Sequence, residues 1–365
     1  MAASLPDLDL VYTGIVEAPL GYMLHHRGHT HTWPGLLALG GLLLFALWLW
    51  PAARRALAEA RSRLLWVIAA ASVSHLLMDA ANSYGTHLFY PFSSAWSYGD
   101  AVFILEPWAW LLPGVALAMN ARGRIGRWLV LVLTVVPTAG LTYVGLVAPV
   151  AAAALLAAGL AAAAISRRWL PGRRATAALG AMGALFLGFA GLSRLADSAA
   201  RPALATGGSE LLDLVLDPNP AAPWCWSFLT VERSRQGQQE ELVSRRGALS
   251  LLPSLLPAAG CATHRLFVAQ AQEPAIASTT PAIAFQQEWR SDLAALRERA
   301  VGDCRTAAWL QFGRAPWLGA DQIADLRYQN PMRGNFSAMT LRPPSPDCPP
   351  KLTSWEKPRR DLFGP

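Results

Sequence analysis

Six apolar runs between residues 34 and 195 constrain the fold of this chain more than any other sequence feature. A helix needs about 20 apolar residues to cross the hydrocarbon core of a bilayer, and each run reaches or approaches that length. With 53% hydrophobic and only 15% charged residues, the chain is too apolar for an ordinary soluble protein. The sequence therefore predicts about six transmembrane helices, at residues 34–50, 64–82, 101–120, 128–148, 150–166 and 175–195, the alanine-rich fifth being marginal.

Arginine is concentrated in three turns between these runs. Residues 51–63, 121–127 and 167–174 hold eleven of the 14 Lys and Arg residues found through Leu204. In a chain of six spans these are alternate turns, so they lie on one side, which the positive-inside tendency assigns to the cytoplasm. The N-terminal segment, the loop 83–100 and the tail are then outside. The net charge of +7 is thus a topology signal, and we expect no nucleic-acid partner.

The predicted fold is an α-helical polytopic membrane domain followed by a small mixed α/β extracytoplasmic domain. Residues 1–33 form an outer N-terminal segment, residues 34–200 the membrane domain, and residues 205–365 the soluble domain. Within the soluble domain the pattern predicts an amphipathic helix at 283–299 and an extended, proline-rich end at 343–365. Strands are predicted at residues 224–231, 265–269, 306–312 and 336–341.

All four cysteines fall in this tail: Cys225, Cys261, Cys304 and Cys348. Their even number and their absence from the membrane half favour disulfides in an oxidising compartment. Sequence alone does not choose among the three pairings. Free buried thiols and a zinc site are the alternatives, but the spacings lack a Cys-x-x-Cys element.

Histidine and carboxylate residues gather near two predicted membrane boundaries, with six of the seven histidines in residues 25–87. His75 and Asp79 are four residues apart and share one face of a helix. Such an ionisable pair at the end of an apolar helix points to a metal ion, although a core histidine is the alternative for His75. Asp100 suits a helix N-cap equally well. Glu106, placed one turn into an apolar helix, needs a cation or a donor when buried.

Upstream lies a second polar cluster, His25–Thr32, together with the element Pro6-Asp7-Leu8-Asp9. Two carboxylates so close to a proline are also typical of a solvated turn or N-cap. Arg27 could pair with a carboxylate or bind an anionic group such as phosphate. We expect Thr30, Asn82 and Thr86 to orient ligands and not to bind metal directly.

The motifs His26-Arg27-Gly28-x-Thr30-His31-Thr32 and His75-x3-Asp79-x2-Asn82-x2-Gly85, continuing to Pro91-Phe92, resemble the YdjM-type family of membrane-bound, metal-dependent hydrolases. The family also carries a Pro-Asp-x-Asp element, matched here by Pro6, Asp7 and Asp9. Its aspartate before Pro-Trp corresponds to Glu106, and its Asn-Pro element to Asn219-Pro220, more loosely. Members have a further Thr-His segment upstream, so either a segment precedes Met1 or the site lacks that histidine.

The resemblance implies a bacterial inner-membrane protein with a divalent-metal site, most simply zinc. It makes ligand candidates of Asp7, Asp9, His26, His31, His75 and Asp79. The family is grouped with zinc-dependent phospholipase C and related nucleases, which favours phosphoester hydrolysis.

We therefore expect an inner-membrane hydrolase acting at the outer, periplasmic face, with membrane lipids as partners and a phosphoester or lipid-linked substrate. Arg27 would stabilise negative charge, and Asp100 or Glu106 would act as general base or further ligand. The alternative is a non-catalytic scaffold or regulator whose metal pins the N-terminal segment. A metal transporter is disfavoured, because the predicted spans beyond Asn120 contain only Arg194 and Asp197 as ionisable residues, near the end of the sixth span.

Overall fold

The computed structural model describes residues 2–204, 208–237, 239–261, 280–328 and 334–363. The N-terminal segment is built from short helical turns. Three 3-10 turns, Ala2–Ser4, Pro6–Val11 and Thr13–Ile15, precede helix α1 (Leu20–His25). A further 3-10 turn, His29–His31, leads into the first long helix. Proline at the start of the second turn fixes a backbone angle that suits a helical turn.

Six longer helices follow, one for each apolar run. They are α2 (Trp33–Leu49), α3 (Pro51–Ala80), α4 (Pro107–Asn120), α5 (Arg124–Tyr143), α6 (Pro149–Ser166) and α7 (Pro171–Leu204). Helix α2 packs on α3, whereas α4 is surrounded by α5, α6 and α7. Five of the six begin with proline at one of their first two positions, where the missing N–H costs nothing.

In the described part of the chain, four helices are long and apolar enough to cross a membrane: Ala58–Ala80, α5, α6 and α7. A fifth span is possible if Leu20–His31 and α2, bent by 72°, count as one unit. The third predicted run accounts for the main difference from the six predicted spans. Its helix begins only at Pro107 and has 14 residues, because residues 101–106 form a loop that packs against the tail.

The tail forms a domain around a four-stranded antiparallel sheet with strand order β1-β2-β3-β4. The strands are β1 (Ser209–Asn219), β2 (Ala222–Gln236), β3 (Gln239–Ser250) and β4 (Ile283–Asp292). Short helices α8 (Ala258–Cys261), α9 (Leu293–Gly302) and α10 (Cys304–Trp309) accompany it. A second, three-stranded sheet contains β5 (Pro316–Leu318), β6 (Gln322–Asp325) and β7 (Met339–Thr340).

Two element predictions in the tail were wrong. The helix expected at 283–299 is a strand as far as Asp292, because pairing with β3 determines its conformation, and only then the helix α9. The Asp292 side chain caps α9 by accepting from the amides of Ala294 and Ala295. The strand expected at 306–312 is largely the helix α10, capped in the same way by Asp303.

The other predictions for the tail agree more closely with the structure. The strand at 224–231 lies within β2, and β7 forms part of the strand expected at 336–341. The proline-rich end is irregular apart from a 3-10 turn at Arg360–Leu362. The strand expected at 265–269 lies outside the described residues. Disulfides join Cys225 to Cys261 and Cys304 to Cys348.

The tail domain packs onto both earlier parts of the chain. Leu20 and Leu24 of α1 share a core with Trp309 and Phe312, and the Trp355 indole donates to the Leu24 carbonyl at 2.7 Å. The end of α7 shares a second core with β1 and β2. These contacts hold the N-terminal segment in place beside the end of α3.

Candidate metal centre

Four side chains from three elements converge at the end of α3. The Nε2 atoms of His31 and His75 are 3.3 Å apart. Asp79 Oδ2 lies 3.2 Å from the first and 3.1 Å from the second. Asp7 Oδ1 lies 3.5 Å and 3.6 Å from the same two atoms. Among the described residues, ligand atoms of Asp7, His31 and His75 all lie within 4.8 Å of one another.

Local structure explains how these side chains meet. His75 and Asp79 occupy successive turns on one face of α3, as their spacing predicts. His31 ends the 3-10 turn directly before α2, whose first turn is capped by Thr32 accepting from the Gly35 amide at 3.0 Å. The Pro6–Val11 turn places Asp7 against His31 and His75. Asp7 is 42% exposed, so the cluster is open to solvent on its side.

Asp9 lies behind His31, on the opposite side of the imidazole from the cluster. It is fully buried, and its oxygens contact His26 Nδ1 at 2.9 Å and His31 Nδ1 at 3.2 Å. They also accept from the Arg27 amide at 3.0 Å and the Thr30 hydroxyl at 2.8 Å. A carboxylate on the far nitrogen of a histidine fixes its tautomer and orientation.

The pKa values of both N-terminal carboxyls respond to these contacts. Burial works to raise the pKa of Asp9, but the hydrogen bonds from His26 and His31 outweigh it and hold that pKa well below its usual range. The hydrogen bond from His31 lowers the pKa of Asp7. Both groups are therefore carboxylates at neutral pH.

Arg27 lies beside the cluster with a left-handed backbone, at φ 58°. Its guanidinium contacts Asp79 Oδ1 at 2.9 Å and donates to Asn82 Oδ1 at 3.0 Å. It also covers the Tyr84 ring, with 4.6 Å from Cζ to the ring centroid. The buried Nε atom has no hydrogen-bond partner among the described residues. Arg27 thus holds one oxygen of Asp79, and its Nε donor stays without a partner among the described residues.

Several predicted site residues lie elsewhere. His26 contacts Asp9 and packs beside the Tyr22 ring, so it does not join the cluster. Both oxygens of Asp100 are held by Arg314 at 2.7 Å, and Asp100 caps no helix. The actual cap of α4 is Glu106, which accepts from Trp108 and from the Ala221 amide at 3.2 Å. Thr86 is buried in an isolated strand bridge to Ser97.

The Asn219-Pro220 element of the tail lies next to the carboxylate of Glu106. The turn after β1 brings the Ala221 amide onto Glu106, at a left-handed residue with φ 62°. Glu106 and Ala221, which are 115 residues apart in the sequence, therefore form a structural contact between α4 and the tail.

In the strand before this turn, burial raises the pKa of Asp217, two residues before Asn219, to about 7.

Sequence reasoning missed the aromatic residues that surround the cluster. Tyr84 lies under Arg27, and Tyr22 packs on His26. Phe336 contacts Tyr22, with ring centroids 5.4 Å apart, and so brings the tail domain next to the site. Tyr84 could have been suspected from its position two residues after Asn82. Phe336 had no local signal, because its contact spans most of the chain.

Apolar helices, with histidines and carboxylates grouped at the end of one of them, define a membrane protein with a candidate divalent-metal centre. Residues 1–152, a little over two fifths of the chain, match the family model described as YdjM inner membrane protein. The match confirms the resemblance carried by the N-terminal motifs. Comparison with curated proteins and with solved structures gave no match.

Proposed function

We propose that the protein is a membrane-embedded, metal-dependent hydrolase whose centre is formed by Asp7, His31, His75 and Asp79. The convergence of two imidazole nitrogens and two carboxylate oxygens carries the proposal. Two histidines and one or two carboxylates are a common ligand set for catalytic zinc.

The donor spacing fits this assignment. Tetrahedral ligands at about 2.1 Å from zinc are about 3.4 Å from one another. The five separations that involve a histidine nitrogen, from 3.1 to 3.6 Å, match this value. A zinc-like ion held there would supply Lewis acidity and a water molecule of lowered pKa.

Other residues of the chain would orient the metal ligands and bind the substrate. Asp9 holds His31 so that Nε2 faces the cluster, and Arg27 holds Asp79. The positive charge of Arg27, next to Asp79, is suited to stabilise negative charge on a substrate such as a phosphoester. Asp100 and Glu106 are engaged by Arg314 and by backbone amides, so the proposal gives neither a role in proton transfer.

We place the centre and the tail domain at the outer, periplasmic face of the inner membrane, with six membrane passes. The arginine-rich turns support this orientation. The N-terminal segment supports a position at the membrane surface, because Leu8, Leu10 and Val11 are exposed beside the buried Asp9. An apolar rim next to a metal cluster favours a lipid or lipid-linked substrate.

The first test is elemental analysis of the protein purified in detergent without chelators. We expect stoichiometric zinc or a similar ion in the natural protein and none in the His75→Ala, Asp79→Ala double variant. His29→Gln is the matched control, because His29 packs on Tyr90 and Trp355 away from the cluster. Metal retained in the double variant would refute the centre.

A second candidate function is a non-catalytic scaffold with a structural metal. The contacts of Arg27 and Asp7 with α3 residues favour it, because a metal there would tie the N-terminal segment to the membrane domain. Metal-dependent stability without turnover on a panel of phosphomonoesters, phosphodiesters and phospholipids would select this alternative. Turnover that is lost in the double variant and kept in His29→Gln would select the hydrolase.

A further inference from the structure

A groove runs between α5 and α6, far from the candidate metal centre. It encloses about 350 Å³ and is lined by the first half of α5, the second half of α6 and one face of α4. Its rim is exposed, since Val135, Leu156 and Leu160 keep 50%, 58% and 64% of their surface accessible. The groove therefore opens sideways, toward the surroundings of the helices.

Close packing on α4 forms the floor of this groove. A Cβ atom on Gly114 would lie 2.4 Å from Thr134 Oγ1, so α4 and α5 touch there. A Cβ on Gly159 would lie 3.1 Å from Leu111 Cδ1, so α6 also approaches α4 closely. At the opposite end, α5 and α6 are joined by a packed turn around Leu141 and Val147. The space between them thus belongs to the half nearer the arginine-rich turn.

Arg127 lines the groove at that end. Its side chain is exposed and has no ion pair or side-chain hydrogen bond among the described residues. Arg174, in a neighbouring cavity of about 200 Å³, is different. Its guanidinium is already bonded to the carbonyls of Ser166 and Arg167 and to Asn120 Oδ1 at 2.8–3.0 Å. Of these two cavities, the groove lined by Arg127 is therefore the one that combines an apolar channel with a cation free to bind an anion.

We propose that this groove binds one acyl chain of an anionic phospholipid, with the lipid phosphate paired to Arg127. From Arg127 to Val135 the helix rises about 12 Å, which is close to the roughly 15 Å depth of one leaflet's hydrocarbon. The apolar walls match the chain, and the unpaired guanidinium matches the phosphate. This site is separate from the proposed hydrolase centre and does not depend on it.

The test compares thermal unfolding in detergent with added phosphatidylglycerol, phosphatidylcholine of the same acyl chains, or inorganic phosphate. We expect phosphatidylglycerol to raise the unfolding temperature by several degrees more than phosphatidylcholine, and inorganic phosphate to have no effect. Arg127→Gln should lose at least half of the difference between the two lipids. Arg168→Gln is the matched control, because Arg168 is exposed at the same end of the bundle outside the groove. It should keep the full difference.

Ala163→Phe separates the acyl-chain contribution from the charge, because Ala163 lines the groove and a phenyl ring would fill it. We expect this variant to lose stabilisation by both lipids, and native mass spectrometry to show one anionic lipid on the natural protein and none on Ala163→Phe. Equal responses of Arg127→Gln and Arg168→Gln, or stabilisation by inorganic phosphate alone, would overturn the proposal. Metal content should be unchanged in all three variants, so the outcome is independent of the hydrolase proposal.

Discussion

His31 contacts Asp9 through one ring nitrogen and faces the candidate metal centre through the other. Its Nδ1 lies 3.2 Å from Asp9 Oδ2, while its Nε2 lies 3.3 Å from His75 Nε2. Because Asp9 is a buried carboxylate, it favours a proton on Nδ1 and so orients Nε2 toward the candidate centre. The two aspartates of Pro6-Asp7-Leu8-Asp9 thus have different positions, Asp7 at the cluster and Asp9 behind it.

This relationship predicts the effect of Asp9→Asn on metal affinity. The amide keeps the shape but loses the charge that orients His31, so we expect zinc affinity to fall by about 10–100-fold. Competition with a chromophoric chelator measures it. Asp7→Asn should cost more, and Asp347→Asn, at an exposed tail position, should cost nothing. Affinity unchanged in Asp9→Asn would show that Asp9 does not position His31.

Asp100→Asn should reduce stability and leave metal binding intact. Asp100 and Arg314 form a two-point pair at 2.7 Å and 2.7 Å, with Arg314 nearly buried. Removing one partner of such a pair costs about 3 kcal/mol, because the remaining charge is left poorly compensated. Chemical unfolding followed by tryptophan fluorescence measures the loss. Reduced metal content at unchanged stability would instead support a direct role of Asp100 at the site.

Much of the centre follows from local spacing, and the rest depends on tertiary contacts. The interval between His75 and Asp79 places both on one face of α3 in any helix. The choice between Asp7 and Asp9 is not local, because both lie in one short 3-10 turn whose inward side is set by His26 and His31. His26 and His31 resemble each other in sequence context, and only the fold points one of them at α3.

The contacts of Asp100 and Glu106 could not be predicted for the same reason. Their partners, Arg314 and Ala221, lie 214 and 115 residues away along the chain. No periodicity near either carboxylate could reveal them. The strand β4 was similarly missed, because apolar residues of 283–299 fit a helical stripe until β3 pairs with the first ten of them.

Reduction should destabilise the tail domain. The disulfides close loops with sequence separations of 36 and 44 residues. In the loop-entropy account, each contributes roughly 4 kcal/mol by restricting the unfolded chain. We expect a phosphine reductant to lower the unfolding temperature, and the Cys304→Ser, Cys348→Ser variant to reproduce part of that decrease. Four titratable thiols in the unreduced, denatured protein would contradict the pairing.

Stability of the tail domain should fall as pH rises from about 4 to about 7. Burial, assisted by the nearby Asp100, raises the pKa of Asp217 to about 7, against hydrogen bonds from Ser83 at 2.9 Å. The stability that this protonated group contributes is complete below its unfolded pKa and is lost as pH rises through the folded value. The loss is at most about 4 kcal/mol. Asp217→Asn should flatten the curve of unfolding free energy against pH, and parallel curves would rule this out.

The proposed orientation can be tested with two single cysteines placed where a side chain meets no neighbour. A Cβ atom on Gly14 or on Gly172 has nothing within 4 Å, so Gly14→Cys and Gly172→Cys should both fold. Gly14 lies in the N-terminal segment, and Gly172 lies at the start of α7, within the arginine-rich stretch of residues 167–174. Because arginine-rich turns are retained in the cytoplasm, a membrane-impermeant maleimide should label Gly14→Cys in intact spheroplasts. It should label Gly172→Cys only after the membrane is opened.

The natural protein is the control, since its four cysteines are paired. Labelling of Gly172→Cys in intact spheroplasts would reverse the orientation and place the candidate metal centre on the cytoplasmic face.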